Sequence, residues 1–254
     1  MVTGKRAGRG RWILGAITGA ALIAGAALIA GAAARQRARR SSADVDAPAE
    51  VGFMRALHAA LRRDLSRLRE VAGRLDGSAG APPTVLAGWE EFRAQLENHH
   101  AAEDDDLWPV LRPQLSDPGE LASVDAMVDE HRHIPPALAA VDAALRGGGD
   151  LAASVERLSA VVAEHLALEE RAVLPLLEQH QTRAQWRAFL HKERDRRTPR
   201  ERPEFLAWIL DSAGEQDAAA VLAEMPPPAR LVYRRVLKPR YEAQHRWQIP
   251  SPPT

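Results

Sequence analysis

The chain has 254 residues, 46% of them hydrophobic and none of them cysteine. That is enough apolar material for a substantial core, and the missing thiols exclude structural disulfides and thiolate-bound iron–sulfur clusters. The formal charge sums to zero, but residues 1–40 hold eight Lys/Arg and no acid, leaving 26 basic against 34 acidic side chains in the rest; so acidic a body argues against nucleic acid as a partner.

Residues 1–11 are a basic N-terminus, and residues 12–34 (WILGAITGAALIAGAALIAGAAA) carry no charge. As a helix, this run would span about 34 Å, enough for a bilayer core of roughly 30 Å. It is mildly apolar, with 14 of its 23 residues Ala or Gly, and it includes one GxxxG pair, Gly15 and Gly19, a possible helix-contact face. A cleaved signal peptide ending near Ala32-Ala33-Ala34, leaving a secreted protein, is the rival reading. The length of the run, and the RQRARR directly after it, favour an uncleaved anchor. The expectation is therefore a single-pass membrane protein, contacting the lipid bilayer through residues 12–34. Four basic residues on each side leave its orientation open. Residues 35–49 form a linker.

Four amphipathic helices are predicted next, within residues 50–180. In the first, Val51, Met54, His58, Leu61, Leu65, Leu68, Ala72 and Leu75 recur at steps of three and four, the period of a helix face turned to a core. After the GSAGAPP break, the second follows Val85, Trp89, Phe92, Leu96, His99 and Glu103. PQLSDPGE separates it from the third, whose stripe is Val124, Met127, His131, Ile134, Leu138, Val141 and Leu145. Pro135-Pro136 interrupt that stripe, so the helix either kinks there or restarts at Pro135 with His131 in the turn before it. RGGGD precedes the fourth, with Leu158, Val162, His165, Glu169, Ala172 and Leu176. Residues 181–254 form a C-terminal helical extension. RAQWRAFLHKERDRRTPRER reads as a solvated helix, followed by short amphipathic helices around PEFLAWIL, DAAAVLAEM and ARLVYRRVLKPRY.

The polar residues on the four stripes repeat. LENHHAAEDDDLWPVL and VAEHLALEERAVLPLL align on Pro109 and Pro175, placing His99 over His165 and Glu103 over Glu169. With His58 and His131, the order His then His-x-x-x-Glu occurs twice, at offsets of 73 and 66 residues. Residues four apart on a helix share a face, so each His/Glu pair can reach one metal centre. Six such groups on inner faces, without a shared partner, would cost several kcal/mol per ionised carboxylate and about 1–3 kcal/mol per unpaired hydrogen-bonding group. A cation removes that cost. His100 and His133 lie about 100° and 200° round their helices from the stripe and read as solvated. Asp104, Asp105 and Asp106 read as an exposed face, and Glu170 as exposed or supporting the site from behind.

This pattern resembles the hemerythrin-like HHE cation-binding domains over about residues 50–180. The resemblance implies an all-α fold, an up-down antiparallel four-helix bundle, here with additional C-terminal helices and an N-terminal transmembrane helix. It implies a non-haem di-iron centre, two iron ions with an oxo or hydroxo bridge. His58, His99, His131 and His165 would be terminal ligands and Glu103 and Glu169 the bridging carboxylates. Imidazole and carboxylate donors suit iron. Oxygen-carrying hemerythrins have His-x-x-x-His on the third helix, whereas four residues before His131 stands Met127 and four after stands Pro135. That leaves each iron with five ligands and an open position. The expected function is binding of dioxygen or nitric oxide in sensing or redox response rather than transport. The alternative is a di-iron oxidoreductase acting on peroxide, nitric oxide or ferrous iron.

Overall fold

The computed structural model describes residues 46–75, 80–211, 213–223, 225 and 227–250, and among them every regular element is helical. No described helix is long and apolar enough to cross a membrane. This corrects the single-pass membrane assignment: the longest described helix, Gly52–Ala72, carries its apolar residues on one face, and that face is buried inside the protein. The basic N-terminus, the 12–34 run on which the assignment rested, and most of the 35–49 linker lie outside the described residues.

Helix α1 spans Gly52–Ala72 and α2 spans Pro83–Ala102. After a π-helical turn, Glu103–Leu107, the second rod continues as α3, Trp108–Leu111. The third rod comprises α4, Pro118–His131, and α5, Ile134–Leu145. The fourth is α6, Leu151–Leu168, then a second π turn, Glu169–Val173, and α7, Leu174–His180. Starts are set locally. Asp117 caps α4 by accepting from Gly119 and Glu120, and Asp150 caps α6 by accepting from Ala153. Gly147 and Gly149 take the positive φ values that the intervening turn needs. Pro135 and Pro136 fall in the first turn of α5, where their missing N–H groups are not required. The third rod therefore restarts rather than kinks, and His131 is the last residue of α4.

The core is split in two. One apolar cluster includes Leu57, Leu61, Leu96, Ile134, Leu138, Val162 and Leu166. The other includes Met54, Ala102, Leu107, Met127, Val173 and Leu177. Along each rod, a histidine or His/Glu pair falls between the two clusters, so the polar residues form one layer through the domain.

The extension packs on this body. It comprises α8, Arg183–Asp195; α9, Glu201–Ile209; α10, Glu215–Ala223; α11, Pro227–Val232; a third π turn, Tyr233–Leu237; and α12, Lys238–Glu242. Trp208, Ile209, Tyr233, Tyr241 and Trp247 all join the first apolar cluster. Trp208 Nε1 donates to buried Asp64 of α1 at 2.7 Å. The Trp247 ring lies on α2 where residue 88 is glycine; a Cβ there would come within 2.5 Å of it. Residues 183–202 are thus not a solvated extension. Trp186, Phe189, Glu193 and Arg197 are buried.

Candidate metal centre

Both carboxylates open a π turn. Trp108 N–H bonds to Glu103 C=O and Leu174 N–H to Glu169 C=O, each five residues back instead of four. Proline explains the widening. Pro109 and Pro175 follow the turns by two residues, and a proline ring clashes with the carbonyl four residues before it in a regular α-helix. The extra residue moves that carbonyl aside and shifts the register just where the ligand pair needs to face inward.

His58, His99, Glu103, His131, His165 and Glu169 are all buried in one layer. His58 Nε2 lies 3.0 Å from Glu169 Oε2, and His131 Nε2 lies 3.3 Å from Glu103 Oε2. His99 Nδ1 is 3.3 Å from Glu103 Oε1. Each contact joins an imidazole to a carboxylate on the same or the opposite half. None of the Nε2 atoms of these four histidines, and neither oxygen of Glu103 or Glu169, makes a hydrogen bond. At roughly 1–3 kcal/mol per unmade buried group, so many together would rival the typical total stability of a domain, about 5–15 kcal/mol. The donor atoms converge, and a cation satisfies them together. Ligand atoms of His58, His99, Glu103 and Glu169 lie within 4.8 Å of one another, and so do those of His99, His100, Glu103 and His165.

Electrostatics agree with a site built to receive positive charge. Burial holds His99 well below the ordinary histidine range, with His58 pushing the same way. Burial also pulls His165 down to about 4, against the attraction of Glu169. For His58, burial is outweighed by the carboxylates of Glu169 and Glu170, and its pKa rises. Burial and the neighbouring Glu169 push Glu103 well above the carboxylate range, while His58 overcomes burial to hold Glu169 down. Two carboxylates crowded into one buried layer disfavour each other's charge, and a positive charge between them relieves that repulsion.

Carboxylates behind the imidazoles take part, among them Glu170, for which a supporting place was one of two readings. His58 Nδ1 contacts Glu170 at 2.9 Å, and Arg62 grips that carboxylate through both oxygens at 2.6 and 3.0 Å. His131 Nδ1 contacts Asp104 at 3.0 Å, and His165 Nδ1 contacts Glu130 at 3.3 Å. A carboxylate behind a ligating imidazole fixes its tautomer and raises its basicity. The aspartate run is not simply an exposed face either. Lys192 of α8 and Arg196 just after it hold Asp106 at 2.9 and 2.6 Å, and Arg196 also holds Asp105 at 3.0 Å. One turn before His99, Gln95 accepts from buried Arg197 at 2.7 Å, and Arg197 is paired with Glu193. His133 is exposed, as expected, but His100 is buried, at 8% exposure. The signal for His100 was in the repeat: its counterpart 66 residues on is Leu166, a core residue.

An all-helical domain whose core is divided by a layer of histidines and carboxylates able to hold metal ions defines the class. Residues 50–177 match the family model described as hemerythrin HHE cation binding domain, and the chain belongs to that family. No curated protein and no solved structure matches.

Proposed function

We propose that residues 50–180 form an up-down four-helix bundle holding two iron ions, which binds dioxygen or nitric oxide as a sensing or redox-response module. His58, His99, His131 and His165 would serve as imidazole ligands, and Glu103 and Glu169 would supply the carboxylates. The observation carrying this reading is the convergence of buried imidazole and carboxylate atoms that make no hydrogen bond. Imidazole and carboxylate donors suit iron, which would supply redox-active binding of a diatomic molecule. The chain's own residues set the conditions. Glu170, Asp104 and Glu130 hold three imidazoles in the tautomer that leaves Nε2 free. The two apolar clusters close the layer from either side, which excludes bulk water and favours small ligands.

The test is metal analysis of the purified full-length protein after anaerobic loading with ferrous iron and desalting, with nitric oxide titrated into the product. About two irons per chain and a saturable spectral change are expected. His99→Ala/His165→Ala should retain little iron, because ligand removal costs metal affinity and stability together. Iron retention by the double variant equal to that of the parent would overturn the assignment. Sustained turnover of peroxide, nitric oxide or ferrous iron would move the reading to a di-iron oxidoreductase.

A further inference from the structure

The geometry points to His100 as a fifth histidine ligand, making the centre asymmetric: two histidines on the His58/His99 side, three on the His131/His165 side. The assignment rests on the di-iron reading above. It replaces the expectation that no residue fills the place left by Met127.

His100 is buried, and its Nε2 makes no hydrogen bond. Its ring is 4.3 Å from that of His131 and 4.9 Å from that of His165, but 5.2 Å from its neighbour His99. The rings of His58 and His99 stand together at 5.1 Å. The five imidazoles thus sort into a pair and a triple, with His100 placed among the histidines of the opposite half. One nitrogen of His100 lies within 4.8 Å of ligand atoms from His99, Glu103 and His165. Its position on α2 is inward because a core-facing helix buries a stripe wider than a single row. In the second copy of the repeat, the same position is filled by Leu166, fully buried against the first apolar cluster. Where the repeat could have placed a leucine, the first copy places a buried imidazole whose Nε2 makes no hydrogen bond.

The consequence is directional. With both carboxylates shared, the His100 side has one protein donor more than the His58 side. An exogenous ligand such as azide or nitric oxide should bind on the His58/His99 side alone, one molecule per centre, instead of on both.

The experiment compares full-length wild type with His100→Leu, the residue the repeat itself uses, and His100→Ala. Each is titrated with ferrous iron, then oxidised and titrated with azide. Wild type should take up two irons and one azide. In both variants one iron should dissociate at least tenfold more readily, and azide stoichiometry should rise toward two where both irons are retained. For His100→Ala, added imidazole should fill the space left by the ring and restore tight binding of the weakened iron, a result a packing role would not give. Wild-type iron affinity and a single azide in both variants would overturn the assignment. So would iron loss from His100→Ala that imidazole fails to restore. Were wild type itself to take up no iron, the di-iron reading would fall first, and this assignment with it.

Discussion

His58 reaches across the domain to Glu170, and His131 reaches back to Asp104; both acceptors stand directly after a buried glutamate, Glu169 and Glu103 respectively. The two halves repeat this wiring, yet they are fastened differently. Glu170 is half-buried and locked by Arg62, whereas Asp104 is exposed and contacts His131. The π turn of the first half is clamped from outside by Lys192 and Arg196 of the extension. Its helix α2 also receives Arg197 at Gln95 and Trp247 at Gly88. The fourth rod instead faces a third rod that is itself broken between His131 and Ile134. The difference teaches that a duplicated motif supplies the donors, while neighbouring segments outside the motif decide how firmly each set is held.

The largest expected effect comes from removing what joins the halves. Extracting iron should lower the melting temperature by about 10 °C or more, since a ligand held at 1,000 times its Kd contributes about 4 kcal/mol, and each kcal/mol shifts a domain of this size by roughly 2–4 °C. Calorimetry of loaded and chelated protein checks this; equal melting temperatures would mean that the halves do not depend on a shared ion.

Next comes a pair of equivalent positions. Gly88 and Ser154 correspond in the repeat, but only Gly88 carries the Trp247 ring. Helix propensity alone would make Gly88→Ala stabilising by about 1 kcal/mol. The close approach of Trp247 should reverse the sign, giving a loss of about 1–3 kcal/mol. Ser154→Ala should stay within about 0.5 kcal/mol of wild type. Denaturant unfolding of both variants measures the contrast.

Glu170→Ala and Asp104→Ala separate the two supporting carboxylates. Loss of such a partner costs roughly 10–100-fold in metal affinity. Glu170→Ala should lie in that range, and Asp104→Ala, whose side chain is already solvated, should fall below it. Competition with a chelator gives both values; equal losses would remove the proposed inequality between halves. The smallest effect belongs to the clamp. Arg196→Ala should cost at most about 1 kcal/mol, a cost that salt reduces, because its ion pairs with Asp105 and Asp106 are partly exposed.

Much of this was legible in the sequence. The stripes put His58, His99, His131 and His165 on inner faces, and the breaks GSAGAPP, PQLSDPGE and RGGGD marked where the rods begin and end. The π turns were not anticipated, because periodicity at three and four residues absorbs a single added residue. Their cause is nonetheless local: Pro109, Pro175 and Pro239 each follow a π turn by two residues. The third turn, at Tyr233, carries no ligand, so the widening belongs to proline and the site exploits it. His100 was missed because a single row was taken as the whole buried face. Glu193 and Arg197 were missed for another reason. A charge on a helix reads as exposed until its partner is known, and Arg197 finds Gln95 at a distance of 102 residues in sequence.

The most direct measurement of the central claim is anomalous diffraction at the iron edge from crystals of the loaded full-length protein. Two peaks are expected between Glu103 and Glu169, one beside His58 and His99 and the other beside His100, His131 and His165. A single peak, or iron bound away from this buried layer, would contradict it.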